Sequence, residues 1–196
     1  MEFSKSDFTR ACELYAEWNA KINVVSRKDI DNLYEHHILH SLSIAEYMER
    51  NSLGASSILD VGTGGGFPGI PLAMAMPSCR FTLCDSIAKK ILVANSVAEG
   101  LGLENVECRC CRAETITGKF DWIVSRAVTS LDNFFPWVKG RYTKGILYLK
   151  GGDVNDEISL LCRKFGILPS SIRVWPVSEW LHDEYFAEKF VIDIRK

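Results

Sequence analysis

Two periodicities divide the chain. Over the first fifty residues apolar positions recur three and four apart, so that Phe8, Ala11, Cys12, Tyr15, Trp18 and Ile22 share one face of a predicted helix. A second helical pattern runs from about Ile30 to Met48 through Leu33, His37, Leu42 and Ala45, and the turn residues Asn51-Ser-Leu-Gly54 end it. From Ser57 the texture changes to short apolar runs of strand length alternating with helical stretches. Strands are expected at 58–61, 80–84, 106–109, 120–125, 145–149, 172–177 and 190–194. Helices are expected through Leu72 to Met76, from a Ser86 N-cap to about Glu99 where Gly100 and Gly102 stop it, near Asn133 to Val138, and from about Val154 to Phe165.

Repeated strand–helix units imply a mainly parallel, doubly wound α/β sheet. No helix-length pattern separates the last two strands, so they should pair as an antiparallel hairpin. The fold expected is Rossmann-like: seven strands in one domain, with residues 1–54 as an N-terminal helical cap on a core of residues 55–196.

Bulk composition narrows the classes. A length of 196 residues suits one domain with a sizeable core. Lys plus Arg is 23 and Asp plus Glu is 25, a balance that excludes coating of nucleic acid or membranes through bulk charge but leaves room for a local basic patch. No apolar run reaches the roughly 20 residues that span a bilayer, and MEFSKSDFTRACELYAEWN has no secretory h-region. Seven scattered cysteines read as cytosolic thiols, and the Cys108–Cys111 spacing lacks the second ligand pair that zinc would need. The expectation is a cytoplasmic monomer without membrane or metal.

Chemistry concentrates in Asp60-Val-Gly-Thr-Gly-Gly-Gly-Phe-Pro-Gly-Ile-Pro-Leu72, which holds five of the fourteen glycines. It follows the first core strand and opens a helix, the place where open α/β sheets bind ligands. Glycine is costly to order, so something must approach this backbone closely. Two ligands are candidates. Gly64-Gly-Gly-Phe-Pro-Gly69 matches the dinucleotide pattern G-x-G-x-x-G, with Asp85 placed for a ribose and a nicotinamide oxidoreductase as the outcome. Against it, Pro68 removes an amide donor and Asp60 would repel a pyrophosphate. Asp60-x-Gly62-x-Gly64-x-Gly66 resembles instead the loop of S-adenosylmethionine methyltransferases. There Asp60 would face a cationic amino-acid end and Asp85 both ribose hydroxyls. Ala113-Glu114 would lie beside adenine, and S-adenosylhomocysteine would be the product. The seven-strand order with its terminal hairpin belongs to that class I methyltransferase fold.

The fourth strand ends Ser125-Arg126-Ala127, with neither the Asn-Pro-Pro-Tyr-like motif of amine methylation nor the cysteine of cytosine C5 methylation. A more specific resemblance runs along nearly the whole chain. Trp18-Asn19 with Asn23 and Ser26, His37-Ile-Leu with Ser41, the glycine loop, Asp85-Ser86 before Lys89-Lys90, Ser125-Arg126-Ala127 and Lys150-Gly151 all look like the RsmG family, also called GidB. The resemblance implies methylation of guanine N7 in the 530 loop of 16S ribosomal RNA, on free RNA or the small ribosomal subunit. It also implies S-adenosylmethionine contacts from Gly62, Phe67, Ala113, Glu114 and Arg126. Guanine N7 has a free lone pair and no proton, so its methylation needs alignment rather than a base. Arg126 is the candidate catalytic residue, orienting either the methionine end of the cofactor or the guanine edge. Another RNA base or a small molecule is the alternative acceptor.

Other features have bland readings. His36, His37 and His40 are not in a metalloprotease motif and read as core or surface histidines, while His37, inside the family motif, could line the cofactor or RNA cleft. Trp122, Phe134, Phe135 and Trp137 read as packing. Lys89-Lys90, Arg109 with Arg112, and Lys139-Gly-Arg141 with Lys144 are basic spots that could together flank the carboxyl end of the sheet and meet phosphates.

Overall fold

A computed structural model describes residues 3–196. After a single 3-10 turn at Lys5–Phe8, the helices are α1 (Thr9–Asn19), α2 (His40–Arg50), α3 (Gly69–Ala75), α4 (Ala88–Gly100), α5 (Leu131–Val138) and α6 (Asn155–Phe165). The strands are β1 (Ser57–Val61), β2 (Arg80–Asp85), β3 (Val106–Cys110), β4 (Phe120–Arg126), β5 (Tyr142–Gly151), β6 (Ile172–Pro176) and β7 (Lys189–Arg195). They form one sheet in the order β3-β2-β1-β4-β5-β7-β6. The first five strands are mutually parallel, and β7 runs antiparallel to both β5 and β6. All seven expected strands are present, with the expected terminal hairpin. The order reverses at β1, which has β2 on one side and β4 on the other. The carboxyl end of β1, where the glycine loop begins, is therefore the switch point.

Alternation along the strands builds a core on each face. Ile58, Phe81, Leu83, Trp122, Val124 and Leu149 pack against α1 to α4; Leu59, Val61, Ile123, Ile146, Tyr148 and Ile192 pack against α5 and α6. The N-terminal segment is continuous with the first of these cores. Phe8, Tyr15, Ile38, Leu42 and Ile44 are buried in the same cluster as the sheet residues, so residues 3–54 complete one face of the sheet.

Three local expectations are corrected. The second N-terminal helix is segmented, with a 3-10 turn at Ile30–Asn32, a π-helical stretch at Leu33–Leu39 and then α2. Ser86 does not cap α4. The helix starts at Ala88 after Ile87, without a side-chain cap, and Asp85 Oδ1 accepts the Ile87 N–H just before it at 2.9 Å. Helix α5 starts two residues earlier than expected, at Leu131, because the Leu131 N–H is held by Glu157 Oε2 at 3.0 Å.

Candidate functional site

The glycine loop turns tightly on itself. Gly66 and Phe67 both donate their N–H to the Thr63 carbonyl, at 2.9 and 2.8 Å. Its glycines answer to different neighbours. A Cβ on Gly65 would lie 2.7 Å from Val24, and one on Gly69 would lie 2.7 Å from both Asp60 and Leu83. One on Gly66 would strike Ile70 at 2.4 Å, and one on Gly62 would strike Val128 at 2.5 Å. Only Gly64 faces open space, at φ +57°, a left-handed backbone that glycine adopts without strain. The close approach expected from the sequence is made mostly by the protein itself, and a ligand has the Gly64 side of the loop.

Asp60 lies on the inner side. Fully buried, its Oδ2 accepts from Thr63 Oγ1 at 2.6 Å and from the Gly69 N–H at 2.8 Å, while Oδ1 is buried without a donor. Burial raises its carboxyl to about 7, against the pull of those two donors. The expectation that Asp60 touches a cationic ligand is corrected: it fastens the loop to α3 from beneath. Gly66 and Phe67 are also turned inward. Phe67 is 4% exposed and stacks under Tyr15, ring centroids 4.5 Å apart. Tyr15 in turn donates its hydroxyl to the Gly65 carbonyl at 3.0 Å.

On the other side of the loop is a cavity of about 250 Å³ at the carboxyl ends of β1, β2 and β3. Gly62, Asp85, Ala113 and Glu114 line it, so the structure brings together four of the expected cofactor contacts. Asp85 holds the Gly64 N–H with Oδ2 at 3.0 Å and the Ile87 N–H with Oδ1. A carboxylate has about four lone-pair sites, so both oxygens keep capacity for hydroxyls. Ile87, Val128 and Trp137 form apolar walls, with Lys90 and Arg112 also lining the cavity. The sequence does not mark these walls. Trp137 read as core, and nothing local to Val128 announces that it lies over Gly62.

Arg126 ends β4 on the cap side of the loop. Its guanidinium lies 5.1 Å from the Phe67 ring centroid, and Nη2 is 3.0 Å from His37 Nδ1. Among the described residues this is its only hydrogen bond, and no carboxylate lies within ion-pair distance of it. His37 Nε2 meets Asp29 Oδ2 at 2.7 Å, and His36 Nδ1 meets Asp29 Oδ1 at 2.5 Å. Burial and the neighbouring guanidinium push His37 down to about 4, so the ring is neutral near pH 7. Burial also raises Asp29, but the two imidazoles more than offset this and leave it below the ordinary carboxylate range. Of the three histidines, His36 and His37 thus face the loop's cap side, His37 beside the Arg126 guanidinium. The third, His40, is buried against Tyr185 and Phe186.

The segment after β4 is pinned from behind. Tyr148 Oη accepts the Val128 and Thr129 N–H groups at 3.0 and 3.1 Å and donates to the Thr129 carbonyl at 2.9 Å. Lys150, ion-paired with Glu157, also reaches that carbonyl. The basic spots separate. Lys90 and Arg112 are at the cavity. Arg109 is engaged by Glu107 through two bonds of 2.8 Å. Lys139, Arg141 and Lys144 sit where β5 begins, with Lys144 on the Gly54 carbonyl. That is the amino edge of the parallel strands, opposite the glycine loop, so their expected place beside the site is corrected. Among the described residues no three His, Cys, Asp or Glu side chains are grouped to hold a metal ion.

The residues present suit S-adenosylmethionine. Asp85 offers acceptors to a ribose diol, the apolar walls offer a slot to a flat base, and Gly64 leaves the loop open. Comparison with known proteins agrees. A match to the family described as GidB, rRNA small subunit methyltransferase G, spans residues 4–174. A protein named ribosomal RNA small subunit methyltransferase G from Christiangramia forsetii is 49% identical over 195 residues, covering 95% of this chain and 88% of that one. Its namesake from Porphyromonas gingivalis is 46% identical, covering 97% and 86%. Among solved structures, magnesium protoporphyrin IX methyltransferase from Synechocystis PCC 6803 with bound SAM superposes with a TM-score of 0.68 at 14% identity, covering both chains fully. Ribosomal protein L11 methylase from Lactobacillus delbrueckii subsp. bulgaricus gives 0.58 at 17% identity, covering 81% of this chain and 77% of that one. Both have the same fold.

Proposed function

The chain belongs to the GidB family of ribosomal RNA small-subunit methyltransferases, and from that premise we propose that it methylates N7 of a guanine in 16S ribosomal RNA. The enzyme is an S-adenosylmethionine-dependent rRNA methyltransferase. When bound, the cofactor supplies an electrophilic methyl group on a positively charged sulfur. Asp85 takes the ribose hydroxyls. Ile87, Ala113, Val128 and Trp137 receive the adenine, with Glu114 at its edge. Gly62 lines the cavity beneath Val128, and Gly64 leaves the backbone open to the rest of the molecule.

Arg126 carries the reading of the acceptor. A half-buried guanidinium with five donors that, among the described residues, has one hydrogen bond and no carboxylate partner calls for an acceptor-rich ligand. Guanine O6 meets that need and leaves N7 free to attack the methyl. The groups around Arg126 support an acceptor that loses no proton. His37 Nδ1 is occupied by Arg126, both Asp29 oxygens by imidazoles, and Asp60 is sealed beneath the loop. An exocyclic amine or a ring N–H would need a free base there. On this reading the enzyme works in the cytoplasm, as a monomer, on RNA of the small subunit.

Arg126→Ala tests it. Methylation should fall by about 100-fold or more while S-adenosylmethionine affinity stays within about threefold by isothermal titration. A large loss of cofactor affinity would move Arg126 to the methionine carboxylate, and unchanged methylation would remove it from the reaction. Titration with NAD, expected to give no heat of binding, tests the oxidoreductase alternative.

A further inference from the structure

The N-terminal cap reaches Arg126 through a chain of side chains that this mechanism leaves without a task. Arg126 Nη2 meets His37 Nδ1, His37 Nε2 meets Asp29, and Asp29 also takes His36 Nδ1. The His36 ring stacks on Tyr185 with centroids 3.6 Å apart and planes 6° from parallel. The proton inventory sets the direction of every bond. A guanidinium only donates, so His37 Nδ1 must accept. The ring proton of the neutral imidazole then sits on Nε2 and goes to the Asp29 carboxylate. Asp29 thereby selects the tautomer that turns a lone pair toward Arg126. The Phe67 ring lies against the guanidinium, and His37 fixes one of its N–H groups.

The interposed imidazole has a consequence that a direct carboxylate would not. An Asp facing Arg126 would take two N–H groups in a bidentate pair and neutralise the charge. A neutral histidine takes one N–H and leaves the other four, and the full charge, for a ligand. The arrangement therefore orients the guanidinium without satisfying it.

We propose that His37 and Asp29 are positioning residues of the methyl transfer, holding Arg126 in the orientation that engages the acceptor base, so that the cap loop is part of the active centre. This rests on Arg126 acting on the acceptor. Neither residue touches substrate; both act through the guanidinium.

The test uses the full-length enzyme with small-subunit RNA. His37→Leu should lower kcat on RNA by about 10- to 100-fold, since small misplacements of an orienting group cost rates of that order. Cofactor affinity should stay within about threefold. His37→Gln should restore most of the rate, because a carboxamide can accept from Arg126 and donate to Asp29 at once. Asp29→Ala should give a smaller, several-fold loss. In an Arg126→Ala background, His37→Leu should cost nothing further. Full activity of His37→Leu, independent multiplication of its effect with that of Arg126→Ala, or no rescue by Gln would overturn the proposal while leaving Arg126 its role. Full activity of Arg126→Ala would instead overturn the parent reading. Should His37→Leu fail to fold, 15N shifts of His37 in the wild-type enzyme decide: a protonated Nε2 and bare Nδ1 at neutral pH are expected, and the reverse tautomer contradicts the chain.

Discussion

Asp60 and His37 sit on opposite sides of the glycine loop and respond to burial in opposite senses. Burial lifts the Asp60 carboxyl from 3.8 to about 7, so the folded state binds more protons there than the unfolded chain. Its contribution to stability is complete below about 4 and is lost as pH rises through 7. Burial, with Arg126 beside it, lowers His37 from 6.5 to about 4, so the unfolded chain binds more protons. That contribution is present above 6.5 and lost as pH falls through 4. The two slopes oppose each other across one window and mask each other in the wild-type protein. Asp60→Asn should leave stability rising more steeply with pH between about 4 and 6.5, and His37→Gln should leave it falling more steeply. Urea midpoints measured across that range check both signs.

At the scale of the loop, two glycines of the same run should behave differently. Gly65→Ala drives a methyl group into Val24 of the cap, with a cost of about 1–3 kcal/mol expected for overpacking. Val24→Ala should relieve it only in part, because the Val24 Cβ that alanine keeps would still lie 2.8 Å away. Gly64→Ala meets nothing but is strained at φ +57°, by roughly 1–2 kcal/mol, and its methyl group projects where the ligand would lie. It should weaken S-adenosylmethionine binding more than it destabilises the fold. Calorimetry and melting temperatures on the three variants separate the cases. The contrast also shows what the sequence carries. The strands, the loop and its two flanking acids are legible because periodicity and turn chemistry are local. The partners of the glycines are not, since Val24, Tyr15 and Val128 reach the loop from elements far along the chain. The inward turn of Asp60 is hidden for the same reason. So is the Asp29–His37–Arg126 connection, in which adjacent histidines on a π-helical stretch converge on one carboxylate.

For the molecule as a whole, the sheet separates two edges of different use. The carboxyl edge carries the glycine loop, the cavity and Arg126; the amino edge carries Lys139, Arg141 and Lys144. In a parallel strand–helix array the residues just before a strand or at its start fall on the amino edge, so the place of this basic run follows from its position where β5 begins. Replacing Lys90 and Arg112 at the cavity by Gln should weaken RNA binding and flatten its salt dependence. The log–log slope should fall by about 0.7 to 0.9 for each phosphate that is no longer neutralised. Replacing Lys139 and Arg141 should do neither. Equal effects from both pairs would mean that RNA reaches the opposite edge as well. The cap belongs to this functional edge too, because it completes a core cluster and supplies the side chains behind Arg126.

Methylation of guanine N7 is tested most directly by supplying the enzyme with methyl-labelled S-adenosylmethionine and small-subunit RNA or particles from cells lacking it. The label is then located by mass spectrometry of nuclease digests. N7-methylguanosine is expected at a single site in 16S RNA, lost with Arg126→Ala. Label on an exocyclic amine, on a ribosomal protein or on no RNA at all would contradict it.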